Sequence, residues 1–168
     1  MVFAMRLPRR HLPLALLAML PRRAAAQEAA VDAVILTVVG APGRPHALLF
    51  DRDDLERMRV VSFATSTIWT EGLIAFRGVP LHDFLGALGI STGRVKLYAS
   101  NDYAAEIPVA EIAADVPILA FEMDGQPMAR RDKGPIWVVY PYDSSASYQN
   151  EVTYTRSIWQ LERIEALP

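Results

Sequence analysis

The chain has 168 residues, about half of them apolar, which is enough for one well-buried core and short for two domains. Its first 26 residues carry five of the 17 basic side chains and no acid, so the remainder holds 12 Lys and Arg against 19 Asp and Glu. A formal charge near −7 argues against nucleic acid as a partner, and the absence of cysteine removes disulfides, thiolate metal ligands and cysteine nucleophiles.

The leading segment contains the apolar run LPLALLAML, Leu12 to Leu20, followed by AAAQ, in which Ala24 and Ala26 suit the subsites of signal peptidase. It reads as a secretory signal, residues 1–26, cut before Gln27, which leaves residues 27–168 as a single domain bound for the periplasm. The run is about half the ~20 residues of a membrane span, so no membrane anchor is expected.

Next, AVILTVV (Ala33 to Val39) is a β-branched run closed by the turn-forming GAPGRP, and it predicts a first strand. FDRDDLERM offers Asp51 as an N-cap, with Leu55 and Met58 on one side of a short helix. RVVSFAT predicts a strand. In GVPLHDFLGALG, Pro80 opens a helix with Leu81, Phe84, Leu85 and Leu88 at helical spacing and Gly89 as its stop. RVKLYAS and YAAEIP predict strands, and VAEIAAD a short helix. PILAFEMDGQPM predicts a strand entering an Asp-Gly hairpin turn. GPIWVVYP and SIWQLERIEAL complete the strands. Strands outnumber helices, so the fold class expected is α+β with mixed β-sheets and short helices.

No GxSxG, GxxxxGK or GxGxxG motif is present, and the histidines do not pair at metal-ligand spacing. His46 and His82 read as surface residues. A hydrolase built from Ser144 or Ser145 with His82 has no positive support. Two stretches stand out: SFATSTIWTEG (Ser62 to Gly72), where five hydroxyl side chains surround Trp69, and ARRDKGPIWVVYPYD, where Arg130, Arg131, Asp132 and Lys133 crowd a turn. By themselves they fit a threonine-rich strand and a solvated hairpin tip. Trp137 and Trp159 lie in apolar strand contexts and read as core.

In chain order, FRGVPLHDFLGALG, YASNDYAAEIP, ILAFEMDGQPMARRDKGPIWVVYP and RSIWQLERIE resemble successive landmarks of the sulfite-oxidase-type, molybdopterin-binding oxidoreductase domain. The resemblance covers Ala33 to Leu167 and implies that fold. It also implies a molybdenum ligand: relatives place a cysteine about a dozen residues before the glycine that matches Gly78. Counting back reaches Thr65 or Ser66. A neutral hydroxyl is a far poorer metal ligand than a thiolate, so no metal is expected.

A pterin pocket survives that loss. A pterin ring needs a stacking face and a few convergent polar groups. Trp69 and Tyr103 can offer the face; Thr65, Ser66, Thr67 and Asn101 can donate and accept hydrogen bonds; Asp102 or Asp132 can accept from the ring edge. Arg131, Lys133 and Arg156 suit a hydroxylated or phosphorylated tail. The cysteine-less TSTIWT and RDKGPIWVVYP segments narrow the resemblance to small periplasmic pterin-binding proteins. These report to a membrane-bound diguanylate cyclase or phosphodiesterase that handles cyclic-di-GMP. The resemblance therefore implies a non-catalytic pterin sensor with that enzyme's periplasmic domain as partner. The alternative is a molybdopterin-dependent oxidoreductase of the sulfite oxidase family. A further alternative is an adaptor with an empty pocket.

Overall fold

The computed structural model describes residues 34–168 and contains ten strands and three short helices among them. The expected signal sequence lies outside the described residues. One sheet has the order β2-β1-β10-β5-β6, formed by β1 (Leu36–Val39), β2 (Leu48–Phe50), β5 (Arg94–Ala99), β6 (Ala104–Pro108) and β10 (Leu161–Leu167). Its β1–β10 pair is parallel, with Val38 opposite Ile164, and its other pairs are antiparallel. The second sheet joins β3 (Val61–Thr65), β4 (Ile74–Pro80), β7 (Ile118–Met123) and β8 (Gln126–Pro127), with β9 (Trp137–Val139) paired to the first half of β7.

Burial follows strand position. In β5 and β6 side chains alternate, with Val95, Leu97, Ala105 and Ile107 buried, because one face meets the core and the other meets water. β7 lies between β4 and β9, and its first four residues are all buried. Both sheets supply one continuous core, from Leu36, Leu97 and Ile164 on one to Phe76, Leu119 and Trp137 on the other.

Helix α1 (Arg52–Glu56) starts where expected. The Asp51 side chain accepts from the Asp54 amide, and the Asp54 side chain accepts from the Asp51 amide, a reciprocal cap. Helix α2 (Leu81–Ala87) buries Leu81, Phe84 and Leu85, as its spacing predicts, and Gly89 beyond it has φ +74°. The Asp124-Gly125 turn has positive φ at both residues and brings Met123 opposite Gln126, the hairpin geometry its sequence signals.

Five elements differ from expectation. β4 runs into Pro80, which caps α2 instead of lying inside it, and the short β2 went unread. Gly and Pro weaken a strand signal. Here Gly78 is required, because a Cβ would lie 2.2 Å from the Leu119 carbonyl oxygen where β4 and β7 shift register. Helix α3 (Glu151–Arg156), capped by Asn150 accepting from the Thr153 amide at 3.0 Å, also went unread. The strand expected over Ser157 to Leu167 begins only at Leu161, and VAEIAAD yields only a three-residue 3-10 turn, Val109–Glu111.

Candidate functional site

The segment after β3 turns its hydroxyls inward on its own backbone. Thr65 ends β3 fully buried, where its Oγ1 donates to the Ser66 carbonyl at 3.2 Å and accepts from the Asp143 amide at 3.1 Å. Ser66 donates to the Asp143 carboxylate from both its amide and its Oγ, the latter at 2.7 Å. Those bonds, the backbone one foremost, hold the Asp143 carboxyl below the ordinary carboxylate range. Thr67 Oγ1 accepts from the Trp69 amide at 3.0 Å and pairs with Thr70 Oγ1 at 2.8 Å.

That closed loop presents Trp69 to a ring cluster. Its indole meets Trp159, Tyr154, Trp137 and Tyr142 edge to face, with centroids 5.6 to 6.1 Å apart. Ser157 pins the buried side of the cluster: its carbonyl accepts from Trp137 Nε1 at 3.2 Å, and its Oγ accepts from the Tyr142 hydroxyl and donates to the Thr153 carbonyl, both at 2.7 Å. Burial pushes the Tyr142 phenol up to about 12, so it stays a neutral donor. Lys133 Nζ lies 4.7 Å from the Trp159 ring centroid and 5.2 Å from that of Trp137, within cation–π range.

Beside this cluster lies a cleft of about 330 Å³. Trp69 and Trp159 contribute indole walls, and α3 contributes Tyr154 and Thr155. The β5–β6 turn contributes Asn101 and Tyr103. Tyr103 is 45% exposed, and its hydroxyl donates to the Thr155 carbonyl at 2.9 Å. Asn101 Oδ1 accepts from the Tyr103 amide at 3.2 Å, which leaves the Asn101 Nδ2 donor without a partner among the described residues. Asp102 stands exposed at the tip of this turn with φ +64°.

Of the residues singled out in the sequence, the fold brings Trp69, Asn101 and Tyr103 together on the cleft wall, with Asp102 next to them in the chain and Lys133 over the Trp159 ring. It does not place Thr65, Ser66 or Thr67 on that wall, because their hydroxyls are bonded within the loop and to Asp143. Arg131 and Asp132 lie exposed in the turn between β8 and β9. Arg156 pairs with Glu111 at 2.7 Å and borders an adjoining hollow. Trp137 is core, as expected, but Trp159 and Tyr154 are cleft walls. The sequence signal for Trp159 was misread as part of a strand, and Tyr154 became visible only once α3 formed.

The family described as oxidoreductase molybdopterin binding domain matches residues 47–150. The chain belongs to this family. No curated protein matches it. Among solved structures, the sulfane dehydrogenase SoxCD of Paracoccus pantotrophus superposes with a TM-score of 0.58 at 17% identity, over 78% of this chain and 37% of that one. The likeness shows a shared fold of the sulfite-oxidase type, and the chain spans little more than a third of that relative.

A molybdopterin-binding domain of this family raises the question of whether these residues suit molybdenum. They do not. At the two positions that counting matches to the family's thiolate, Thr65 Oγ1 is buried with its proton and a lone pair bonded to backbone groups, Ser66 Oγ donates to the Asp143 carboxylate, and the chain has no cysteine. Among the described residues no group of three or more His, Asp or Glu side chains is placed to hold a metal ion.

Proposed function

We propose that this member of the molybdopterin-binding family is a non-catalytic pterin-binding protein. The observation that carries this reading is a ring-walled cleft with an open amide donor, beside two candidate metal-ligand positions, Thr65 and Ser66, whose hydroxyl protons are bonded within the protein. At about 330 Å³ the cleft lies near the lower end of ligand pockets, about 300 to 1,000 Å³, which suits one bicyclic ring and a short tail. Trp69, Trp159 and Tyr103 supply aromatic surface, a contribution of about 1 to 3 kcal/mol per stacked ring by analogy with nucleobases. Asn101 Nδ2 donates to the ring edge.

The same reading makes the protein an exported sensor. The pterin-loaded form binds the periplasmic domain of a membrane-bound enzyme that makes or degrades cyclic-di-GMP. Ligand biases that enzyme only if the loaded and empty forms differ in affinity for it. The motif resemblance of TSTIWT and RDKGPIWVVYP supports this part of the proposal.

The test is to heat-denature the purified protein and record the fluorescence of the supernatant, alongside its metal content after growth with ample molybdenum. Blue pterin emission without molybdenum is expected. Stoichiometric molybdenum would overturn the reading in favour of a molybdopterin-dependent oxidoreductase, the competing reading that the family description supports. A dark supernatant from protein that also fails to take up added neopterin would leave an adaptor with an empty pocket.

A further inference from the structure

We infer that the cleft selects a pterin with an uncharged, hydroxylated tail and discriminates against one carrying phosphate or carboxylate; this rests on the pterin reading above. Aromatic, amide, hydroxyl and aliphatic side chains line the cleft, with no Lys, Arg, Asp or Glu among them. A ring seated there finds no counter-charge for an anionic substituent.

A second hollow adjoins the cleft. Thr155 is shared between the cleft and a more open hollow of about 440 Å³ bordered by Glu106, Glu151 and Arg156. The guanidinium charge is paired, since Arg156 Nη2 lies 2.7 Å from Glu111, and its side chain is only 19% exposed. A tail therefore meets two carboxylates and an arginine already neutralised by a third. Arg94 and Lys96 approach Glu106 only to 3.7 and 3.9 Å in exposed geometry, which leaves its oxygens open to another donor. Lys133 keeps its ammonium over two indole rings and does not line either space.

Carboxylates only accept hydrogen bonds, and the hydroxyls of a polyol donate them, so Glu106, Glu151 and the Thr155 hydroxyl match a polyhydroxylated chain. A phosphate monoester carries close to two negative charges. In the same place it loses water and meets Glu106 and Glu151, while the nearby cations Arg94, Lys96 and Arg156 each already face a carboxylate, an arrangement that disfavours binding. Molybdopterin, itself a phosphate ester, falls in the disfavoured class.

The test titrates the full chain, by quenching of tryptophan fluorescence at fixed ionic strength, with neopterin, neopterin monophosphate and 6-carboxypterin. Neopterin is expected to bind, with both anionic pterins weaker by about tenfold or more, the scale of one uncompensated charge contact. The double variant Glu106→Gln, Glu151→Gln alters two exposed side chains, and circular dichroism checks its fold. It should narrow the gap between neopterin and its monophosphate. Monophosphate binding as tight as neopterin, or a gap that the double variant leaves unchanged, overturns the inference while the pterin reading stands. Failure of all three ligands to bind overturns both.

Discussion

The hydroxyl shelf around Thr65 and the aromatic cleft around Trp69 arise from one short loop, yet their chemistry is opposite. On the shelf nearly every polar atom is matched within the protein: Thr65 to Asp143 and Ser66, Ser66 to Asp143, Thr67 to Thr70 and Trp69. In the cleft, ring surface and the Asn101 amide face open space. A saturated hydroxyl has little left to offer a ligand, whereas an indole wall retains its stacking surface. The shelf thus acts as a brace for the cleft, and substitutions in the two regions should separate stability from affinity.

The largest effect is expected at Trp69, which belongs to both regions. Trp69→Ala removes four ring contacts, so denaturant unfolding should show a loss of about 3 kcal/mol, and pterin titration should show binding abolished or greatly weakened. Stable protein that binds normally would detach Trp69 from both roles.

Thr65→Val comes next. It leaves the part-buried Asp143 amide without its acceptor and should cost about 1 to 3 kcal/mol in stability while leaving affinity, measured on folded protein, nearly unchanged. A selective fall in affinity would instead make the shelf part of the ligand site.

Tyr103→Phe deletes only the hydroxyl bond to the Thr155 carbonyl. Its expected cost is about 0.5 to 1.5 kcal/mol in stability, with the stacking surface and most of the affinity retained. Tyr103→Ala should lose affinity as well, and comparing the two variants by titration isolates the ring.

The smallest effect concerns acid. Because the folded state lowers the Asp143 pKa, this group's stabilising contribution is fully present above the ordinary carboxylate value of about 4 and is lost as pH falls through the lower folded value. Thermal melts between pH 6 and 3 should therefore show a steeper loss for the native protein than for Asp143→Asn. Parallel curves would show that the carboxylate does not brace the loop.

The parts of the molecule legible in the sequence are those governed by local chemistry. The Asp51 cap, the apolar stripe of α2, the Asp124-Gly125 turn and the alternation in β5 each depend on residues a few positions apart. β4 was hidden because Gly78 and Pro80 weaken a strand by local rules, while the close approach of Leu119 from a distant strand requires the glycine. α3 was missed because six residues with two threonines and a tyrosine carry little helical signal, and its cap and tertiary contacts supply the rest.

The candidate site divides along the same line. The family resemblance put Trp69, Asn101 and Tyr103 forward as candidates for ring binding, and the residue types alone showed that no thiolate exists to hold a metal. Only the tertiary structure decided that the neighbouring hydroxyls bond inward, that Trp159 and Tyr154 join the wall, and that Arg156 is neutralised by Glu111. A sequence specifies which groups can donate, accept or stack. Whether a group remains free to do so depends on partners that can lie far away along the chain, as Asp143 does from Thr65.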